Sequence, residues 1–127
     1  MRALSKQQLA TLKRRVYSAN YRASREYDRE DTISLEDVLG LFTKNQLCAY
    51  CQRKLTPSTL SLDHRIPLVA GGSNTAGNIE LVCRRDNRYK SAIPAEQYTA
   101  FLKHLGEEWS SFFFSHYRPH NHRRGRG

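Results

Sequence analysis

Cys48-x-x-Cys51 and Cys83-x-x-Asp86 bracket a stretch that otherwise reads as a hairpin. Each pair has the spacing at which a tight turn offers two ligands to one ion, so together they predict a structural zinc site tying residues 48–51 to residues 83–86. The fourth position is Asp where Cys would be expected. Zinc accepts carboxylate oxygen, although all-Cys or Cys/His sets are commoner. The competing reading is three buried or reactive free thiols, with Asp86 facing solvent. A disulfide framework is disfavoured, because three cysteines are an odd number and the N-terminus lacks the apolar stretch of a secretion signal. A redox role for the C-x-x-C pair lacks the βαβ surroundings it would need.

With 127 residues the chain is one domain's worth, able to bury one modest core. A hydrophobic content of 39% against 26% charged residues is far from the composition of disorder. The formal charge of +9, with a pI near 9.8, favours polyanions or anionic surfaces over neutral ligands. No apolar run approaches the roughly 18 residues of a membrane span, so a cytoplasmic protein is expected.

Residues 1–27 hold seven Lys or Arg (Arg2, Lys6, Lys13, Arg14, Arg15, Arg22, Arg25) against one acid, Glu26. Leu9, Leu12, Val16, Ala19 and Ala23 recur among them at helical spacing, which predicts an amphipathic basic helix over residues 5–24. Its plain reading is a solvated face; Tyr17, Tyr21 and Tyr27 between the arginines favour a phosphate-tracking one. Ser34, followed by acids, predicts an N-cap and a short helix to residue 43. Residues 60–68 alternate and predict a strand ending near Pro67. Residues 70–77 read as a glycine-rich connector with Gly71-Gly72 as a turn signal, residues 78–82 as a second strand, and a short helix starts at Arg84. Pro94 opens a helix expected to end near Leu105 with Gly106 as its cap. Tyr98, Phe101, Leu102 and Leu105 form its apolar face, and Trp109, Phe112, Phe113 and Phe114 are read as core cover. The tail over residues 116–127 has no acid and is expected to be disordered in isolation, as a nucleic-acid-contacting arm or a solubilising tail.

The chemistry concentrates at Asp63-His64. Phosphodiester hydrolysis needs a divalent cation and a base that activates water. Asp63 and the amide oxygen of Asn87 are hard donors suited to Mg²⁺, or to Mn²⁺ or Ni²⁺ in its place. His64, with an ordinary pKa of ~6.5, is available as a neutral base at pH 7. Neighbours on a regular strand point to opposite faces, so the strand should bend or bulge at this pair, or the metal should lie at its edge.

C-A-Y-C, S-L-D-H-R-I-P-L, G-G-x-x-x-x-x-N-I and C-x-x-D-N-x-x-K, in that order, resemble the zinc-knuckle form of the HNH nuclease motif. This is the ββα-metal, or His-Me finger, fold shared with colicin nucleases and homing endonucleases. The resemblance covers residues 47–91, and the flanks are similar to small phage and bacterial HNH proteins. It implies that His64 is the general base, that Asp63 is a catalytic metal ligand, and that Asn78 pins the loop and orients the base. It further implies that Asn87 completes the metal site in place of the third signature His, and that Lys90 contacts phosphate.

The expected architecture is α+β: a basic helix and a short helix over residues 1–46, a ββα-metal core over 47–92, C-terminal helices packing on that core over 93–115, and a basic tail over 116–127. The expected function is a metal-dependent endonuclease acting on double-stranded DNA, nicking it or cutting both strands, in the cytoplasm of a bacterium or a phage-infected cell. Lys13, Arg14, Arg15, Arg22, Arg65, Arg88, Lys90, Arg123 and Arg124 are the expected DNA contacts. No membrane partner is expected, and the state is monomeric or weakly dimeric. The alternative is a zinc-stabilised nucleic-acid-binding module without catalysis, which explains charge and cysteines but gives no reason for Asp63, His64, Asn78 and Asn87 to occur together.

Overall fold

A computed structural model describes the backbone of residues 3–116 and the side chains of residues 3–106. Arg123, Arg124 and the rest of the basic tail, and the side chains of Trp109, Phe112, Phe113 and Phe114, lie outside the described residues.

Helix α1 spans Lys6–Tyr27. Ser5 starts it through a capping box: its hydroxyl accepts from the Gln8 N–H at 3.0 Å, and the Gln8 side chain accepts from the Ser5 N–H at 2.9 Å. Such a cap stabilises a helix by about 1 kcal/mol. The helix runs past the predicted residue 24 until Asp28 adopts a left-handed conformation, φ 52°, which Asp tolerates better than most residues. Helix α2 spans Leu35–Lys44 and begins with the same device, Ser34 paired with Asp37. Leu12 and Val16 of α1 and Val38 and Phe42 of α2 enter one core with Leu60, Ile79, Leu81 and Val82.

Those last four belong to an antiparallel hairpin, β1 (Leu60–His64) with β2 (Ile79–Cys83), followed directly by α3 (Arg84–Lys90). The register sets Leu62 opposite Leu81, Asp63 opposite Glu80 and His64 opposite Ile79, with no bulge. The molecule is thus α+β with a ββα unit at its centre. Strand β1 ends at His64 rather than near Pro67, because the carboxamide of Asn78 takes over the backbone of Ile66. Its Oδ1 accepts from the Ile66 N–H at 2.9 Å, and its Nδ2 donates to the Ile66 carbonyl at 2.9 Å and to the Ser73 carbonyl at 2.8 Å. Asn78 itself lies in a 3-10 turn, Ala76–Asn78, and not in β2.

Ala95 begins α4, which runs Ala95–His116. It passes through Gly106, predicted to cap it; a single interior glycine costs about 1 kcal/mol relative to alanine, too little to stop a helix. Of its expected apolar face, Tyr98 is buried while Phe101 and Leu105 are exposed. The chain divides into two compact units between Pro94 and Ala95. Among the described residues no helix is long and apolar enough to cross a membrane.

Candidate functional site

The two cysteine segments meet. A tight turn closed by a bridge between Leu47 and Lys54 carries Cys48 and Cys51, while Cys83 caps α3 and Asp86 stands in its first turn. The four ligand atoms all lie within 4.8 Å of one another. Asp86 Oδ2 is 3.3 Å from Cys48 Sγ and 3.3 Å from Cys83 Sγ, and Cys51 Sγ is 3.8 Å from Cys83 Sγ. Tetrahedral zinc with Zn–S bonds of about 2.3 Å sets its sulfurs about 3.8 Å apart, so the donor set and its spacing fit zinc. Backbone N–H groups of Tyr50 and Cys83 point at Cys48 Sγ, and that of Asp86 at Cys83 Sγ. Burial pushes all three thiols above their ordinary range; a bound cation would reverse that by favouring the thiolates. Asp86 is buried at 3% exposure, not turned to solvent.

A cleft of about 220 Å³ is lined by Asp63, His64 and Asn87, with Arg22 and Tyr27 of α1 on its wall. Three residues singled out in the sequence are thereby brought together without any bulge in β1: His64 is the last residue of the strand, so the pair sits where the strand ends. Asp63 and Asn87 both line this cleft, although Asp63 is buried at 5% exposure; carboxylate and amide oxygens are the donor types that a hard divalent cation takes.

The imidazole of His64 is fixed by a residue outside the predicted set. Its Nε2 lies 2.8 Å from Asn74 Oδ1. Asn74 is fully buried, and its Nδ2 donates to Asn20 Oδ1 and to the Asp31 carbonyl, each at 2.9 Å, while its N–H donates to Asp31 Oδ2 at 3.1 Å. Because the Asp31 carbonyl can only accept, the orientation of the Asn74 amide is settled and its oxygen faces His64. In the neutral ring Nε2 therefore carries the proton and Nδ1 the free lone pair. Burial holds the imidazole below its ordinary 6.5, reinforced by the charges of Arg22 and Lys90 and opposed by the bond to Asn74. Asn78, expected to orient the base, pins the 66–73 loop and makes no bond to His64; that bond falls to Asn74. In the sequence Asn74 is one polar residue in A-G-G-S-N-T-A-G, indistinguishable from ordinary turn chemistry.

Lys90, expected to contact phosphate, is fully buried. Its Nζ lies 3.1 Å from Asp63 Oδ2 and 3.3 Å from Oδ1, and donates to the His64 carbonyl at 3.0 Å. Despite this partner, burial raises Asp63 to about 6. Arg65 forms an ion pair with Glu80. Lys13, Arg14, Arg22 and Arg88 are exposed, and Arg15 is half-buried.

Residues 48–92 match the model of the HNH endonuclease family. The match takes in both ligand pairs, the hairpin and α3, and supports a nuclease-type function. Among solved structures the chain is similar to the Type II-C Cas9 enzyme from Actinomyces naeslundii, at 33% identity and a TM-score of 0.44, over 65% of this chain and 10% of that one. The chain thus spans about a tenth of that protein's length. No curated protein matches the sequence.

Proposed function

We propose that this chain, with an HNH endonuclease module at residues 48–92, is a metal-dependent endonuclease that hydrolyses phosphodiester bonds of double-stranded DNA. The observation that carries the reading is the pairing of His64 Nε2 with Asn74 Oδ1 beside Asp63 and Asn87 in one cleft. Nδ1 of His64 takes a proton from water, whose oxygen attacks phosphorus; the P–O3′ bond breaks, and the 3′ oxygen is protonated by solvent. Products carry a 5′-phosphate and a 3′-hydroxyl. Asp63 and Asn87 would hold a divalent cation, Mg²⁺ or in its place Mn²⁺ or Ni²⁺, which would neutralise charge on the phosphate and the leaving oxygen. Lys90 keeps Asp63 oriented from behind, and the exposed guanidinium of Arg22 faces a substrate phosphate across the cleft. Cys48, Cys51, Cys83 and Asp86 would hold a structural zinc, which would fix the end of β2 and the start of α3.

The alternative, a nucleic-acid-binding module without catalysis, draws on one observation: the Asp63 carboxylate already has Lys90 as a cationic partner. Supercoiled plasmid incubated with Mg²⁺, Mn²⁺ or EDTA separates the two. The nuclease converts plasmid to nicked circles with Mg²⁺ and not with EDTA, and His64→Ala abolishes the conversion while circular dichroism and DNA binding persist. A His64→Ala protein as active as the parent would remove the base assignment, and a parent that binds but never nicks would leave the binding module.

A further inference from the structure

A second groove, of about 320 Å³, runs beside the cleft and shares three of its lining residues, Arg22, Leu62 and Asn87; Arg14, Arg15, Ser18 and Ser61 line the rest of its polar surface. None of the residues lining it is acidic. Arg15 reaches from α1 to donate to the Ser58 carbonyl at 2.8 Å, and Arg84 at the start of α3 donates to the same oxygen at 3.0 Å. One neutral acceptor thus holds two guanidinium groups together. The Nε–H of Arg15 is buried without an acceptor. Burial, with the charges of Arg84 and Arg14, also pulls Arg15 below its ordinary range, so an anion here would relieve both the repulsion and the unmet donor.

We infer that this groove is a phosphate subsite. Resting on the nuclease reading, it takes the phosphodiester adjacent to the scissile one on the cleaved strand, between the guanidinium groups of Arg14 and Arg15 and the hydroxyls of Ser18 and Ser61. Arg22 and Asn87, facing both grooves, make the two phosphate positions consecutive. The contact is to backbone and carries no base information; it sets where along the strand the scissile bond falls.

The test uses the 127-residue chain carrying His64→Ala and a labelled duplex, with affinity measured by anisotropy across KCl concentrations. Each phosphate neutralised contributes about 0.9 to the slope of log K against log salt on duplex DNA. Arg14→Gln/Arg15→Gln should lower the slope by about 0.9. The charge-matched Arg53→Gln/Lys54→Gln, whose residues line neither groove, should leave it unchanged. Arg14→Gln alone, which keeps the Arg15 contact to Ser58, should move the slope in the same direction with the melting temperature intact. In the nicking-competent background the groove variant should raise KM several-fold with kcat retained. Equal slope changes in the groove and control variants, or an unchanged slope in the groove variants, would overturn the subsite while leaving nicking by the parent, and so the nuclease reading, in place. Absence of nicking by the parent sinks that reading whatever the slopes do.

Discussion

Asn74 holds the tautomer of His64, and it gives the sharpest residue-scale prediction. Asn74→Asp keeps an acceptor for Nε2–H, although its second oxygen replaces the donor that Asn74 offers to Asn20 Oδ1 and the Asp31 carbonyl; the carboxylate it sets against the ring favours the imidazolium. The acid limb of the nicking profile should therefore move to higher pH, with activity at pH 6 falling more than at pH 8; an unmoved limb would mean that His64 is not the titrating base. In the parent, His64 and Asp63 act on stability in opposite senses. His64, depressed by burial, contributes stability that is full above its unfolded value of 6.5 and lost as pH falls through the lower folded value. Asp63, raised from 3.8 to about 6, contributes stability that is full below 3.8 and lost as pH rises through about 6. In the proposed mechanism Asp63 must be ionised and His64 neutral together. At limiting Mg²⁺, nicking should therefore fall below pH 6 more steeply than one proton allows, and saturating Mg²⁺, by favouring the carboxylate, should leave only the His64 limb. Lys90→Met strips a buried carboxylate of its partner and should cost about 3 kcal/mol in a urea titration. Asp63, His64 and Asn87 were legible because their spacing sets them at a strand end and one helical turn. The burial of Lys90 was not legible, since nothing in C-x-x-D-N-x-x-K says that the last side chain turns inward.

At the scale of elements, the start of α2 and the hairpin were readable from Ser34 and the alternation after Leu60, because these signals act within a few residues, whereas the reciprocal Gln8 and Asp37 bonds of the two capping boxes came only with the fold. The true end of β1 was not readable either, because it depends on Asn78 reaching back to Ile66. Gly72 makes that reach possible: a Cβ there would lie 1.9 Å from the Ile66 carbonyl oxygen and 2.8 Å from Asn78 Nδ2. Gly72→Ala must push the pinned loop away from β1, and overpacking of this kind costs about 1–3 kcal/mol, lowering the melting temperature by roughly 5 °C or more. Gly77→Ala, where a Cβ would meet nothing within 4 Å, should change it little. Similar losses in both variants would show that glycine at 72 serves only chain flexibility. Gly106 illustrates the opposite error, since a glycine with no left-handed turn to make is simply carried by the helix around it.

For the whole molecule, the +9 charge favours a polyanionic partner, whereas the gathering of Arg14, Arg15 and Arg22 around one groove beside the cleft had to be read from the fold. The four-residue cluster joins the same scales: Cys48 and Cys51 precede the hairpin and Cys83 and Asp86 follow it, so a metal bound there would also close the ββα unit. Chelation should lower the melting temperature, and Asp86→Cys, which supplies the commoner donor, should retain stoichiometric zinc where Asp86→Ala loses it; equal zinc content in parent and Asp86→Ala would remove Asp86 from the ligand set. On the proposed nuclease reading, the single His64 cleft of one chain would cut one strand at a time. Nicked circles should therefore build up before linear plasmid. The nicking rate should scale linearly with protein, and the linear product should depend more steeply on concentration, because the second cut requires another encounter or a second copy. If linear plasmid instead appeared from the first turnover at every protein concentration, the cutting unit would be a preformed dimer with two clefts facing opposite strands.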